Sequence, residues 1–310
     1  MPDTERKKLF GKQARGTASV QGRGAAVFGL VVFGVGIFVI LISTDVIHVA
    51  DEGFHAPRWV VALVGGMFAL AGLWVVIRGL RGMAQLRRRR LLQMTHPDAP
   101  WYADYPWDER GTSDQALRKA LNPFVGAVVF AVFAAPFHCL ILMIRDMPGV
   151  FTIGVVVVYL IVAACIGQGI YRLLRYRKYG STNLRFNRFP FFLGDKLEVE
   201  MSNPRGIGEF RSIEIALLCI EEQIVRRGTG RNRTRSVDCY QIYGDTVRFE
   251  KGVYKKGGAS VPITFLLPAD ASPTSLSASP PTYWEIEIKA ETPGVDYNAV
   301  FLVPVYAKPQ

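Results

Sequence analysis

Four stretches of this chain contain no aspartate, glutamate, lysine or arginine: Gly24–Thr44, Trp59–Ile77, Pro123–Ile144 and Val150–Ile170. Ion-coupled transport needs ionisable groups at mid-membrane. These runs offer only His138 and Gln168 as strongly polar side chains, which argues against such transport by a single chain. Histidine is scarce, with four in 310 residues and only His138 inside an apolar run, so a bis-histidine haem within one chain is excluded. Cysteine is equally sparse. Cys139 and Cys165 fall in apolar runs, Cys219 and Cys239 in the later half, and no C-x-x-C occurs; buried free thiols are the expectation. No G-x-x-x-x-G-K-[ST] or G-x-S-x-G is present, which removes the phosphate-binding loop and the nucleophile elbow. Gly206-Ile-Gly208 lacks a third glycine at the needed position and reads as a loop. Glu221 and Glu222 are adjacent on a strand and so point to opposite faces, which denies them a shared acid–base site. His48, Asp51, Glu52 and His55 share one loop, but their spacing matches no known ligand pattern. The expectation is a protein without enzymatic activity, cofactor or metal.

What the chain has is hydrophobicity together with positive charge. Half of its residues are hydrophobic, yet the net charge is +11. The two conflict in one soluble globule and agree in a membrane protein with basic edges. Each chargeless run is about 20 residues, and at about 1.5 Å per residue that spans the hydrocarbon layer. The runs give four transmembrane helices, at about 24–44, 59–77, 123–144 and 150–170, within a membrane domain covering 24–174. Residues 1–23 read as a basic, flexible cytoplasmic tail and residues 78–122 as a cytoplasmic connector. Lys and Arg concentrate on the cytoplasmic side of spans. Arg78, Arg81 and the run Arg87, Arg88, Arg89, Arg90 therefore put the connector inside, and both termini with it. The four consecutive arginines are candidate contacts for anionic headgroups, which the spans make a more economical partner than nucleic acid. Thr112-Ser-Asp-Gln115 resembles a capping box, so a brief interfacial helix is expected before Asn122. Ala127, Ala131 and Ala135 in the third span, and Ala163 and Gly167 in the fourth, are small-residue faces suited to close helix contact. Tyr171 to Tyr179, with Arg172, Arg175, Arg177 and Lys178, reads as the headgroup-level anchor from which a soluble domain hangs.

From Ser181 the hydrophobic period becomes two. Trp284, Ile286, Ile288 and Ala290 alternate with Glu285, Glu287 and Lys289, the pattern of a strand with one face on a core and the other in solvent. Seven strands are expected, near 183–189, 195–202, 210–225, 235–249, 259–267, 283–291 and 299–306, and such a series suggests a two-sheet sandwich. The two long central strands form a hairpin. If its turn centres on Thr229, Cys219 opposes Cys239 and Ile215 opposes Tyr243. Arg226, Arg227, Arg231, Arg233 and Arg235 crowd the tip as candidate lipid or partner contacts.

The stretches Val261–Pro268, Tyr283–Ala290, Pro293–Tyr297 and Phe301–Tyr306 resemble the closing strands of arrestin-like domains. The whole chain resembles a group of uncharacterised bacterial integral membrane proteins with the same tail and a Pro-Trp connector like His96–Trp107. The resemblance implies an immunoglobulin-like sandwich over roughly 181–310, of a kind that binds other proteins. The domain is set at 175–310. The expectation is therefore an inner-membrane, non-enzymatic scaffold or adaptor presenting a cytoplasmic sandwich to an unidentified protein partner. The alternative is a subunit of an oligomeric channel or transporter complex, a homo-oligomer being compatible with either.

Overall fold

The computed structural model describes residues 6–12, 14–15, 22–47, 57–143, 149–227, 234–255, 257 and 260–309. They fall into two compact units. One comprises Val20–Arg88 and Ala120–Tyr171; the other comprises Met1–Ser19, Arg89–Lys119 and Arg172–Gln310. This corrects the boundaries expected from sequence. The basic tail and most of the connector belong with the strands.

The helical unit is drawn from α1 (Gly22–Ser43), α2 (Arg58–Thr95), α4 (Ala116–Met143) and α5 (Gly149–Tyr179), with the short α3 (Pro100–Asp104) lying between α2 and α4 in the chain. These four helices are long and apolar enough to cross a membrane. With 38, 28 and 31 residues, α2, α4 and α5 are longer than the roughly 20 residues a bilayer requires. α2 outruns its apolar part because Arg78–Thr95 holds strong helix formers and no proline. It stops at Thr95, two residues before Pro97. α4 runs unbroken through Pro123, so the separate interfacial helix expected before Asn122 does not exist. Thr112 and Ser113 lie in a strand, and the cap is Asp114, whose Oδ1 accepts from Ala116 N at 3.1 Å.

α1 and α2 pack antiparallel through four glycines. A methyl group added at Gly29 would stand 2.7 Å from Val76 N, and one at Gly65 would stand 2.9 Å from the Gly36 carbonyl oxygen. Gly36 and Gly72 face the opposing backbone just as closely. On α4, Ala127 and Ala134 are buried but Ala135 is exposed, because spacings of four and three, rather than four and four, track one helix face. On α5, Ala163 and Gly167 are exposed, and the glycine that packs is Gly169, against the Phe124 ring.

The other unit is built on antiparallel sheets. One has five strands in the order β1 (Lys7–Leu9), β7 (Thr234–Tyr254), β6 (Gly208–Arg227), β9 (Thr282–Glu291), β10 (Tyr297–Val303). The second has four: β2 (Gly111–Ser113), β3 (Asn183–Phe186), β5 (Lys196–Ser202), β8 (Val261–Leu266). β4 (Phe191–Phe192) and β11 (Val305–Tyr306) form a short parallel pair. Leu197, Val199, Ile263 and Phe265 of the second sheet share one core with Leu217, Trp284, Ile286 and Phe301 of the first. Each of the seven expected strands is present. The expected strand at 299–306 is divided into β10 and β11, β4 is added between β3 and β5, and two come from outside, β1 from the tail and β2 from the connector.

The hairpin register differs from expectation. Arg227 pairs with Thr234 and Ile220 with Gln241, then a bulge between Cys219 and Ile220 sets Cys219 opposite Tyr243. The turn centres nearer residue 230 than Thr229, and the bulge adds one residue more. Cys239 therefore opposes Glu222, and Ile215 opposes Val247. The two cysteines lie in different clusters and cannot bridge each other. Burial pushes both thiols up from their ordinary range, with a nearby glutamate adding to it, Glu221 for Cys219 and Glu222 for Cys239.

Candidate functional site

The outward face of the five-stranded sheet should be solvated if period-two alternation were the whole account. Instead β9 is buried on both faces over most of its length. Glu285 is 1% exposed, Glu222 3% and Glu287 9%. The cover is the tail. β1 adds to the β7 edge, with Lys7, Lys8 and Leu9 pairing Gln241, Tyr240 and Cys239. Lys8 Nζ is 2.6 Å from Asp238, Arg6 3.4 Å from Glu221, and Lys12 pairs with both Glu285 and Glu287. The Arg15 backbone N–H donates to Glu222, and Leu9 packs on a cluster of Ile220, Cys239, Tyr283 and Leu302. Within β1 the faces alternate: Leu9 meets the outward cluster, Lys8 points the other way with Arg6 to reach Asp238 and Glu221, and Lys12, beyond the strand, returns to the outward carboxylates. The Tyr283 hydroxyl, fully buried here, makes no hydrogen bond to nitrogen or oxygen, and the Cys239 thiol lies within its reach. Sequence reasoning missed this site. The basic tail carries no local pattern that marks it as a strand.

Burial pushes the Glu287 carboxyl up, but the charges and hydrogen bonds of Lys12 and Lys289 pull it further down, so it ends below its usual value. A carboxylate with a lowered folded pKa stabilises above its unfolded value, and that stabilisation is lost as pH falls through the folded value. Glu287→Gln is expected to be less stable than the parent at pH 7, with the gap closing as the pH drops below the carboxylate range. Thermal unfolding of both proteins across pH 3–8 measures it. A gap that widens in acid would contradict the assignment.

The connector is fixed to the sheets by a buried carboxylate. Asp104, at the end of α3, accepts from Leu276 N at 3.0 Å, Ser277 N at 2.7 Å and the Tyr306 hydroxyl at 3.1 Å. Trp107 Nε1 donates to the same hydroxyl at 2.9 Å. Trp101 stacks near Phe192 and Tyr306. The aromatic connector is thus folded against the sheets through its rings. Beside it, Trp107, Asp108, Arg110 and Arg185 help line an open cleft of about 410 Å³.

Within the Tyr171–Tyr179 stretch, read from sequence as a headgroup-level anchor, the last residues are bound to the sheet unit. Tyr179 is buried, and its hydroxyl bonds Thr292 Oγ1 and the Val295 carbonyl. Lys178 Nζ donates to Thr292, Pro293 and Val295. Gly180, at φ +69°, closes the helix in the left-handed region that favours glycine. Arg205 donates to the Tyr176 and Arg177 carbonyls. Tyr179→Phe is expected to cost about 1–2 kcal/mol of unfolding free energy through the lost hydroxyl bonds, read from chemical denaturation of the full chain; no change would contradict those bonds.

The arginines singled out by sequence lie in two places. Arg87, Arg88 and Arg90 are exposed on α2 and Arg89 half-buried. Arg226, Arg227 and Arg235 occupy the ends of β6 and β7; Arg231 and Arg233 lie outside the described residues. β9 pairs with β6 only between Ser212 and Glu221, and β1 reaches β7 only at 239–241. From Gln223 and Asp238 onward β6 and β7 therefore continue as a two-stranded arm. On it Ile224 opposes Val237, and these two apolar side chains are 54% and 44% exposed. The loop with His48, Asp51, Glu52 and His55 lies outside the described residues.

No known protein family and no curated protein matches the chain. Among solved structures it is similar to Spo0M, a sporulation control protein from Bacillus subtilis, at 15% identity and a TM-score of 0.30. The match takes in 41% of this chain and 49% of that one, about half the length of Spo0M. At that score the likeness is too slight to define a family or a function.

Proposed function

We propose that this chain is a non-enzymatic membrane scaffold. Its four helices anchor an arrestin-like β-sandwich that recruits a protein partner at the cytoplasmic face of a bacterial inner membrane. Sidedness is supported by the composition of the sheet unit. The tail, the connector and the carboxy-terminal strands meet in it, as they must if each helical hairpin returns the chain to the side it left. The arginine excess of α2 supports the cytoplasm as that side, and in this reading Arg87, Arg88, Arg89 and Arg90 meet anionic headgroups.

The observation that carries the recruitment reading is the arm. An exposed apolar pair held on a ribbon that extends beyond its sheet, next to clustered arginines, is a surface made for contact. A photo-crosslinking residue at position 224, introduced into the full chain in native membranes, tests it. A single protein adduct that disappears when Arg226 and Arg227 are changed to glutamate is expected. Adducts to lipid alone, or none, would overturn the reading. A reporter fused after Gln310 that faces the outside would overturn the sidedness.

The second reading, an oligomeric channel or transporter subunit, draws on the exposed Ala163 and Gly167 of α5. Solute flux through purified protein in liposomes would favour it. A monomer by mass with no flux would remove it.

A further inference from the structure

We propose that the outward face of the five-stranded sheet is a binding site for an extended basic peptide, held in this structure by the chain's own residues Arg6–Arg15 acting as an internal stand-in. The proposal stands whether or not the β6–β7 arm meets a partner.

The chemistry of the face selects its occupant. Glu222, Glu285 and Glu287 lie on the outward side of β6 and β9 and are almost fully buried, while Glu221 and Asp238 lie on the other side, where the β7 edge meets the tail. Carboxylates withdrawn from water need cations or hydrogen-bond donors above them. Lys12 supplies a cation to Glu285 and Glu287 and the Arg15 backbone a donor to Glu222, while Arg6 and Lys8 hold Glu221 and Asp238 on the other side of the edge. Among the described residues the buried Tyr283 hydroxyl has no nitrogen or oxygen partner and only the Cys239 thiol within reach, so the tail leaves it without a strong acceptor. Main-chain pairing is available as well, since β7 offers its edge, and Leu9 fits the apolar spot formed with Ile220 and Cys239. Strand addition to an open edge, with side chains reading alternate positions, is a general mode of peptide capture. The pattern read is a cation, one residue, a cation, an apolar residue, two residues and a further cation.

The internal occupant is built to exchange. β1 makes only three ladder pairs, whereas β6 pairs β7 along nearly its whole length. Removing β1 leaves the β7–β6–β9–β10 ladder with every other pairing intact. A tethered segment competes as a local concentration of about millimolar, so an external peptide must outbid it or bind when it is displaced.

The probe is a fluorescein-labelled peptide with the sequence of residues Arg6–Arg15, and the receptor is the full chain in lipid nanodiscs. The Lys8→Glu/Lys12→Glu chain should bind the peptide at least about tenfold more tightly than the parent, because its own segment no longer competes. Adding Glu285→Gln and Glu287→Gln should cancel that gain, and a peptide with its basic residues changed to glutamate should not bind. Equal binding by the parent and the Lys8→Glu/Lys12→Glu chain, or binding that survives the glutamine changes, would overturn the proposal. A second measurement guards against a folding defect. Cys239 is buried beneath the segment, 3.9 Å from the Lys12 carbonyl oxygen. With Cys139, Cys165 and Cys219 changed to alanine, Cys239 should react with a maleimide in the Lys8→Glu/Lys12→Glu chain and be protected again by the unlabelled peptide. Reactivity that the peptide does not reduce would overturn it as well.

Discussion

Replacing Asp104 with alanine is expected to destabilise the sheet unit by about 4 kcal/mol, since buried donors left without an acceptor cost about 1–3 kcal/mol each and do so less than additively. Asp104 is 5% exposed and receives two backbone N–H groups and one hydroxyl. Leu276 is fully buried and Ser277 half-buried, so the Leu276 amide in particular has no ready substitute for the carboxylate. Burial and the Asp104 charge both hold the Tyr306 hydroxyl in its neutral, donating form, so the carboxylate and the phenol act as a pair. Tyr306→Phe alone should cost about 1 kcal/mol, and the double variant should fall short of the sum. Unfolding in denaturant, followed by tryptophan fluorescence, reads the free energies. Hydrogen exchange at the Leu276 and Ser277 amides reads the site itself. A loss below 1 kcal/mol with unchanged exchange would show that the carboxylate does not hold the connector.

The second large effect concerns two glycines on one helix. Gly36→Ala is expected to cost about 2–3 kcal/mol, the usual range for forcing a methyl into a filled contact. Such a methyl would stand 2.7 Å from the Gly65 carbonyl oxygen, and beside it lies the backbone of Ala69. Backbone cannot rotate aside as a side chain can, so α1 and α2 must separate. Gly34→Ala, two residues away, meets nothing within 4 Å. It should be neutral or gain up to about 1 kcal/mol from helix propensity. Thermal stability of the two variants in one detergent gives the comparison. Equal behaviour would mean that the helices do not touch along this line.

The helices were legible because their signal is local and strong. A run without charge longer than the bilayer is thick admits few other readings. The strands were legible for a similar reason, since Leu197, Val199 and Met201 alternate with polar neighbours wherever they are read. Three features were not legible. The tail sequence Arg6-Lys-Lys-Leu9 is polar, and its partners Asp238 and Glu285 lie more than two hundred residues away, so nothing nearby marks it as a strand. Glu285 and Glu287 sit on the face that alternation assigns to solvent, and alternation cannot say what covers that face. The pairing of Cys219 depends on a bulge that no residue type announces. For the candidate site, the arginines of the arm and of α2 stand out by composition, whereas the acidic face does not, because Glu222, Glu285 and Glu287 come from two strands far apart in sequence and their cover comes from the tail.

The discontinuity of the sheet unit sets an order on biogenesis. β1 leaves the ribosome first, yet the edge it joins is translated only after all four helices have been made. Until then β1 has no seat, and the connector's rings have no surface to cover. Insertion into the bilayer must therefore precede completion of the sheets. A fragment cut at residue 175 and expressed alone would lack β1, β2 and the Asp104 clamp, and would display bare carboxylates and apolar surface that the intact chain never shows to water.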